Sequence, residues 1–313
     1  MNQARVNGVT VGSLTFPAPV MTASGTAGHG AELSGFMPLV ELGAVVVKSL
    51  AAFEWAGNPA PRVHPAGTGM INAVGLQGPG VEHWLAEELP ALLATGARVV
   101  VSIWGRGVDD YRRAAEQLAA APAGVVAVEV NLSCPNLEGR RGIFAHDAAL
   151  SAEVIAATGA AGRPRWAKLS PNTDRVVEVA QAVHEAGAEA VTLVNTLLGM
   201  VLDPHSGLPV LGAGGGGYSG APVHPVAVRT VYDVRAALPD LPIVGVGGVV
   251  SAWDAVELLL AGANAVQVGT ATFADPAAPV KVQRALLSWC AQRGLAPADL
   301  CGLAHRGGLP PHA

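Results

Sequence analysis

The chain has 313 residues, a length that fits two ordinary domains or one large α/β barrel. Hydrophobic residues make up 50% of the chain and charged residues only 14%, which excludes an intrinsically disordered protein. The net charge is -5 and no basic run is present, so neither nucleic acid nor an anionic membrane is an expected partner. We therefore expect the chain to act on a small molecule or to bind another protein.

Cysteine and histidine patterns exclude two further classes of protein. Cys134, Cys290 and Cys301 are too scattered for a disulfide framework or a C-x-x-C metal site. The nine histidines form no H-x-H or H-E-x-x-H motif, so no metal is predicted. The N-terminus lacks the apolar segment of a signal peptide, and every apolar run is interrupted well before about 18 residues. We expect a soluble protein of the reducing cytoplasm.

Short apolar, β-branched runs alternate with helical stretches along nearly the whole chain, which is typical of a parallel sheet buried on both faces. There are eight of these runs, namely Pro19 to Ala23, Ala44 to Lys48, Arg98 to Ile103, Val125 to Val130, Trp166 to Leu169, Ala190 to Val194, Pro242 to Val246 and Ala265 to Val268. Eight is the strand number of a (β/α)8 TIM barrel. The sequence therefore predicts an α/β protein with one barrel domain over residues 1–313.

The stretches between the runs have helical spacing and helix-ending residues. A helix is predicted over Asp174 to Ala186, with Gly187 as its C-cap. Ser251 supplies an N-cap hydroxyl for a helix that Gly262 closes, and a third helix covers Asp109 to Ala121. These helices are the expected outer layer of the barrel.

Two segments depart from the strand–helix alternation. The opening VNGVTVGSL predicts an N-terminal β-hairpin that plugs the barrel, with its turn at Asn7 and Gly8. The connection over residues 51–97 exceeds ordinary loop lengths, which indicates a long inserted active-site loop. The run GAGGGG, at 212–217, does not lead from a strand directly into a helix, so we interpret it as a loop and not as a dinucleotide fingerprint.

Polar and glycine residues follow the predicted strands, at the end where barrel enzymes carry their chemistry. In chain order they are Ser24, Lys48, Ser49, Ser102, Asn131, Ser133, Cys134, Lys168, Asn195, Thr196, Gly247, Gly248, Gly269 and Thr270. Burying a lysine ammonium group costs free energy unless the group contacts an anion. The two lysines therefore predict a ligand with a phosphate, a carboxylate or an electron-rich ring. The alternative is that their side chains extend to the barrel rim and keep the ammonium groups in water. The glycines suit a phosphate, although tight turns alone would also explain them.

The segment EVNLSCPN places Cys134 after a predicted strand, beside two asparagines. A thiol at a barrel mouth suits a nucleophile or a base, whereas a lone cysteine elsewhere is usually an inert small hydrophobe. The following LEGRRGIFAHD carries glycines on both sides of two arginines, which indicates a hinged lid over the site.

The strings NPAPR, NAVGLQGPG, EVNLSCPN, AKLSPN, NTLLGM, GYSGAPVHPVAV, VGVGG and VQVGTATF occur in an order and spacing that resemble the dihydroorotate dehydrogenases. The resemblance covers roughly residues 5 to 290 and is most specific at NAVGLQGPG and EVNLSCPN, which look like the NAD-linked branch of class 1 (1B). Membrane-bound class 2 relatives place a serine where this chain has Cys134. The resemblance implies a TIM barrel that holds FMN and oxidises dihydroorotate to orotate in de novo pyrimidine (UMP) biosynthesis.

The same resemblance implies the site residues. FMN is expected at Ser24, Lys48, Ser49, Asn131, Lys168, Val194, Gly220, Gly247, Gly248, Gly269 and Thr270, and also at Ser102, which stands where the family usually has an asparagine. The substrate is expected at Lys48, Asn72, Ala73, Val74, Gly75, Leu76, Asn131, Asn195 and Thr196. A second departure from the family's pattern is the segment VHPAGTGM before NAVGL, where the family more usually has acidic residues.

The implied reaction agrees with the residue types. Oxidising a C–C bond to C=C removes a hydride from one carbon and a proton from its neighbour, so a flavin must face one carbon and a base the other. Cys134 takes the place of the base, Lys48 suits the substrate carboxylate, and Lys168 suits negative charge on the flavin. Asparagine offers both donor and acceptor atoms to a pyrimidine edge.

Three other functions remain open at this point: a dihydropyrimidine dehydrogenase-like flavin oxidoreductase, a Schiff-base aldolase using Lys168, and a non-catalytic flavin-binding subunit. The chain carries neither an iron–sulfur cysteine cluster nor a second cofactor motif. The 1B resemblance therefore implies a homodimeric core with an electron-transfer subunit that holds FAD and a [2Fe–2S] cluster, and NAD as the final acceptor.

Overall fold

The computed structural model describes residues 7–133 and 142–311 of the chain. Its strands, in chain order, are β1 Val9–Val11, β2 Leu14–Phe16, β3 Val20–Thr22, β4 Val45–Val46, β5 Val63–Ala66, β6 Gly69–Asn72, β7 Val99–Ile103, β8 Val125–Asn131, β9 Arg165–Lys168, β10 Ala190–Leu193, β11 Leu197–Gly199, β12 Gly216–Gly220, β13 Ile243–Val246 and β14 Ala265–Val268. The helices are α1 Val81–His83, which continues through a π-helical segment Trp84–Glu88 into α2 Leu89–Ala94, then α3 Val108–Leu118, α4 Ala148–Ala157, α5 Val176–Glu185, α6 His224–Ala237, α7 Ala252–Ala261, α8 Ala271–Ala274 and α9 Ala278–Gln292. Short 3-10 helices connect several of these elements.

Eight parallel strands form the central sheet in the order β3-β14-β13-β10-β9-β8-β7-β4. The two ends of this sheet meet, because the Gly43 N–H donates to Val20 O at 2.8 Å and the Val46 N–H donates to Thr22 Oγ1 at 2.8 Å. The strands are buried because helices cover their outer faces and side chains fill the interior. Each of the eight predicted runs is a barrel strand, so the predicted (β/α)8 fold is confirmed.

The helical predictions agree with the structure to within a few residues at each end. Helix α7 begins after Ser251, whose Oγ accepts from Asp254 N while the Asp254 carboxylate accepts from Ser251 N, a reciprocal cap that satisfies two free N–H groups. Gly262 follows the last turn with φ +129°. Helix α5 buries Val179 and Val183 against the sheet.

The N-terminal hairpin closes the lower end of the barrel. Strands β1 and β2 pair antiparallel, and Phe16 packs edge-on against Trp166 of β9 with ring centroids 5.8 Å apart. The predicted turn position was wrong: the turn lies at Gly12 and Ser13, where Gly12 takes φ +59°, and not at Asn7 and Gly8. The register that buries Val9, Val11 and Phe16 against the barrel selects the later turn.

A second sheet covers the opposite end of the barrel. It has the order β11-β12-β6-β5 and joins the long inserted segment after β4 to the segment after β10. The prediction that the glycine run is a loop was wrong for its last two residues, because Gly216 and Gly217 begin β12. Gly216 pairs with Gly199 of β11, and Gly217 pairs with Asn72 of β6. A side chain at Gly217 would overlap Thr196 Oγ1, which explains glycine in this strand.

Within the described ranges, none of the helices combines the length and the apolar composition that crossing a bilayer requires.

Candidate active site

A cavity of about 610 Å³ opens at the carboxyl ends of the barrel strands, beneath the second sheet. The predicted residues that line it are Ser24, Lys48, Ser49, Asn72, Ala73, Val74, Gly75, Leu76, Asn131, Lys168, Val194, Asn195, Thr196, Gly220, Gly247, Gly248, Gly269 and Thr270. Two predicted residues are not among them. Ser102 is buried behind Ser49, and Cys134 falls outside the described residues, as do residues 137–141 of the predicted lid.

Lys48 brings a partly buried cation to the cavity wall just after β4. Its backbone N–H donates to Gly28 O at 2.9 Å, which fixes the point where the side chain leaves the strand. Burial lowers the pKa of Lys48, and the positive charge of Arg62 lowers it further. Within residues 7–133 and 142–311, no carboxylate lies within ion-pair distance of its amine. An anionic ligand in the cavity would match this charge.

Lys168 presents the second cation, from the end of β9. Its side chain is almost fully buried, and Nζ lies 3.4 Å from Glu129 Oε1. The other carboxylate oxygen, Glu129 Oε2, accepts from Thr192 Oγ1 at 3.1 Å and from Gln267 Nε2 at 2.8 Å. The two lysines therefore differ, since Lys168 has a counter-charge in the barrel and Lys48 has none among the described residues.

A chain of amide and hydroxyl groups joins the strand ends around the cavity. Asn195 Nδ2 donates to Asn131 Oδ1 at 3.2 Å, and Asn131 Nδ2 donates to Ser49 Oγ at 3.3 Å. Ser49 Oγ also lies 3.2 Å from Ser24 Oγ and 2.9 Å from Ser102 Oγ. Ser102 thus contacts the site through Ser49, which orients a hydroxyl that does line the cavity.

The glycines after β13 form a concave backbone surface. Gly247 and Gly248 have φ of +137° and +67°, and a Cβ on Gly248 would lie 2.7 Å from the Cβ of His224. The His224 Nδ1–H donates to Gly247 O at 2.8 Å, because a carbonyl oxygen can only accept, and Nε2 lies 3.3 Å from Glu257 Oε2. These contacts fix the loop in a shape that leaves backbone at the cavity wall, where a phosphate group fits.

The inserted segment after β4 supplies one wall of the cavity. Trp55 Nε1 donates to Gly75 O at 3.0 Å, and Asn58 Nδ2 donates to Ala73 O at 3.1 Å. Leu76 takes φ +62°, which is uncommon for a residue other than glycine and is typical of functional sites. Asn72, at the end of β6, donates from Nδ2 to Gly217 O of β12 at 3.3 Å, so this wall is continuous with the second sheet. The long connection is therefore part of the site, as its length indicated.

Sequence reasoning missed several site residues. Trp55 and Trp104 line the cavity and pack edge-on with Phe53, at centroid distances of 6.0 to 6.2 Å, while the Arg106 guanidinium lies 4.2 Å from the Phe53 ring centre. Two aromatic residues close together in the inserted segment, Phe53 and Trp55, were the sequence signal for this wall of the cavity. Glu129 was also missed, although an acidic residue inside the apolar run VVAVEV is unusual.

His29 packs near Lys48 and stays neutral at ordinary pH. Burial lowers its pKa from 6.5 to about 4, with the Lys48 charge as the second cause, while Glu32 acts in the opposite direction. The Trp84 indole N–H donates to His29 O at 2.6 Å, so helix α1 and the following π segment hold this part of the chain. A neutral His29 contributes no charge that would compete with Lys48.

The family profile described as Dihydroorotate dehydrogenase matches residues 7–289. A protein of Trichlorobacter lovleyi named "Dihydroorotate dehydrogenase B (NAD(+)), catalytic subunit" is 43% identical over 289 residues, which cover 92% of this chain and 94% of that protein. Proteins with the same name from Desulforudis audaxviator and Bacteroides thetaiotaomicron are 44% and 39% identical, covering 96% and 91% of this chain and 98% and 94% of theirs.

Proposed function

Because this chain belongs to the dihydroorotate dehydrogenase family, we propose that it oxidises dihydroorotate to orotate in pyrimidine biosynthesis, with FMN as its cofactor and NAD as the final acceptor. The observation that carries this proposal is Lys48, a partly buried cation at the cavity wall with no carboxylate in range among the described residues. Asn72 and Asn195 line the same cavity. A carboxylate on a ring with alternating donors and acceptors matches this combination.

The residues present fit FMN. The cavity volume of about 610 Å³ lies in the range that small-molecule and cofactor sites occupy, roughly 300–1,000 Å³. The surface formed by Gly247 and Gly248 suits the phosphate, since no side chain stands between the backbone and the ligand. Besides these two, we propose that FMN is held by Ser24, Lys48, Ser49, Asn131, Lys168, Val194, Gly220, Gly269 and Thr270.

The protein's own groups divide the work of the reaction. Bound FMN supplies a hydride acceptor for one carbon of dihydroorotate. The Cys134 side chain, in the segment outside the described residues, takes the proton from the neighbouring carbon, as its position in the family motif implies. The Lys168 amine presents N–H donors at the cavity and stabilises the negative charge that develops there.

Substrate recognition divides between one cation and several amides. Lys48 binds the carboxylate of dihydroorotate, and Asn131, Asn195 and the segment 72–76 bind the ring. The Thr196 N–H donates to Asn195 Oδ1 at 2.8 Å, so the Asn195 amide group reaches the cavity in a fixed orientation. An amide group that lost its water and gained no hydrogen bond from the ligand would lower the binding free energy. The site therefore favours binding of a pyrimidine ring over binding of an apolar ring.

We further propose that the chain forms a homodimeric core and works with an electron-transfer subunit that carries FAD and a [2Fe–2S] cluster. The relatives are named catalytic subunits of an NAD(+) enzyme, which supports a second subunit. This sequence contains only three cysteines, too few for an iron–sulfur cluster with four cysteine ligands. The aldolase alternative is not favoured, because Lys168 lies beside the Glu129 carboxylate, whereas a Schiff-base lysine needs an apolar pocket.

The first experiment is an absorption spectrum of the purified chain, followed by anaerobic addition of dihydroorotate. We expect bands near roughly 370 and 450 nm from oxidised flavin, and bleaching of the longer-wavelength band when substrate is added. Cys134→Ala should keep the bands but slow the bleaching by about 10² or more, because it lacks the base. Cys134→Ser should retain some bleaching at higher pH only.

The matched control is Cys301→Ala, which removes a thiol that lies 3.5 Å from Gly262 O and does not line the cavity, so this variant should bleach at the normal rate. A chain without flavin bands, or a normal rate in Cys134→Ala at neutral pH, would contradict the proposal.

A further inference from the structure

A carboxylate without solvent contact lies inside the barrel, one layer below the cavity. Glu129 is on β8, two residues before Asn131, so both side chains point into the barrel. Thr192 on β10 and Gln267 on β14 both donate to Glu129 Oε2, at 3.1 and 2.8 Å. The other oxygen, Oε1, lies 3.4 Å from Lys168 Nζ on β9. One acidic group thus connects four barrel strands.

The surrounding layers show that this charge is not needed to fill space. The layer immediately below is apolar and includes Ala127, Trp166 and Val244. Replacing a buried ion pair by well-packed apolar residues is often neutral or stabilising, so an ion pair is weak evidence of a purely structural role. The retained charge points to a function in the layer above, where Lys168 lines the cavity.

The partners of Glu129 fix its direction without changing its charge. Thr192 and Gln267 are neutral donors to one oxygen, which leaves the other oxygen facing the ammonium group. Lys168 has three N–H donors and only one carboxylate beside it in the described residues, so donors remain for the cavity side. The pair as a whole carries no net charge.

We propose that Glu129 is a positioning residue, which holds the Lys168 ammonium at the cavity wall and offsets its charge there, where the flavin would bind. This inference rests on the proposed function. A lone ammonium would stabilise the reduced, more negative form of the flavin and so raise its midpoint potential. Electron transfer from the reduced flavin to the next acceptor would then be less favourable. The paired carboxylate would moderate that effect, while the N–H groups of Lys168 would remain available to a cofactor in the cavity.

The first test is the midpoint potential of the FMN-loaded chain, measured by equilibration with redox dyes. Glu129→Gln keeps the shape of the side chain and removes its charge. We therefore expect the ratio of reduced to oxidised flavin at a fixed potential to rise at least tenfold. A tenfold rise corresponds to an increase of about 30 mV in the midpoint potential of a two-electron couple. Thr192→Val is the matched control, because it removes one hydrogen bond from the same carboxylate without changing the charge. We expect it to change the ratio less than threefold.

Adding Lys168→Met to Glu129→Gln removes the other charge of the pair, and the potential should then fall below that of Glu129→Gln alone. If Glu129→Gln does not fold, Glu129→Asp draws the carboxylate away from Nζ by one methylene and should raise the ratio in the same direction. An unchanged ratio in the Glu129 variant, or an equal change in Thr192→Val, overturns the proposal.

A second test needs no flavin. We expect Glu129→Gln to lower the melting temperature of the flavin-free chain more in the presence of Lys168 than in a Lys168→Met background, because the two groups are coupled. Additive losses overturn the positioning role. A wild-type chain that binds no flavin refutes the proposed function instead, and the melting experiment still decides whether Glu129 and Lys168 are coupled.

Discussion

His29 provides a measure of the charge at the candidate site. Its pKa is lowered to about 4 by burial first and by the Lys48 cation second. Lys48→Met removes that cation and keeps an unbranched apolar side chain at the cavity wall. The pKa of His29 should therefore rise in the variant, and it should stay below 6.5 because burial, the larger cause, is retained.

The size of the wild-type effect follows from the two pKa values. A change from 6.5 to about 4 corresponds to roughly 3 kcal/mol between the protonated and neutral forms of the ring. Since the folded pKa is the lower one, the unfolded chain binds the proton first as the pH falls. The free energy of unfolding is thus unaffected by His29 above pH 6.5 and decreases by up to about 3 kcal/mol between pH 6.5 and pH 4. Lys48→Met should make this decrease smaller, and His29→Gln should abolish it.

The assay is an NMR titration of the histidine ring protons in the flavin-free chain, with His29→Gln used to assign the resonance. Denaturant unfolding at several pH values then checks the stability change. Lys281→Met is the control, since Lys281 pairs with Asp275 on the surface and should leave His29 unchanged. A wild-type midpoint near 6.5, or a midpoint that is the same in Lys48→Met, would refute the reasoning.

Three further outcomes are expected. Lys48→Ala should weaken orotate binding to the FMN-loaded chain by about 1.5 to 3 kcal/mol in calorimetry, the contribution of a charge-assisted hydrogen bond, and unchanged affinity would contradict its role. Gly217→Ala should lower orotate affinity because the new methyl group displaces Thr196. Gly35→Ala is the control and should leave the affinity unchanged, because nothing lies within 4 Å of the added Cβ. Equal orotate affinities in the two variants would argue against the placement of Thr196. The isolated chain should reduce dyes but not NAD with dihydroorotate, and co-expression with an iron–sulfur flavoprotein should restore NAD reduction; efficient NAD reduction by the chain alone would exclude the partner.

The barrel strands could be predicted because parallel strands buried on both faces leave continuous apolar runs in the sequence. The polar residues after those runs could be predicted for the same reason, since the ends of parallel strands meet at one edge. Lys48, Lys168 and Asn195 are examples, and all three line one cavity. The role of each residue in binding remains a proposal.

Features that depend on distant contacts could not be predicted. Gly217 pairs with Asn72 of β6, 145 residues earlier in the chain, and Gly216 pairs with Gly199 of β11. The hairpin turn lies at Gly12 because the barrel floor selects the register, although Asn7 and Gly8 form an equally good local turn signal. The partners of Glu129 come from three other strands, so local sequence contains no trace of them.

The plugged floor of the barrel leaves one end of the barrel for access to the cavity. Val9, Val11 and Phe16 fill one end of the barrel, so the end beneath the second sheet is the route for dihydroorotate entering and orotate leaving. The proposed electron-transfer subunit would approach the bound cofactor from this end of the barrel or through its rim. Product release and electron transfer would then compete for access at one opening of the cavity. The turnover rate should therefore depend on the rate of product release as well as on the chemical step.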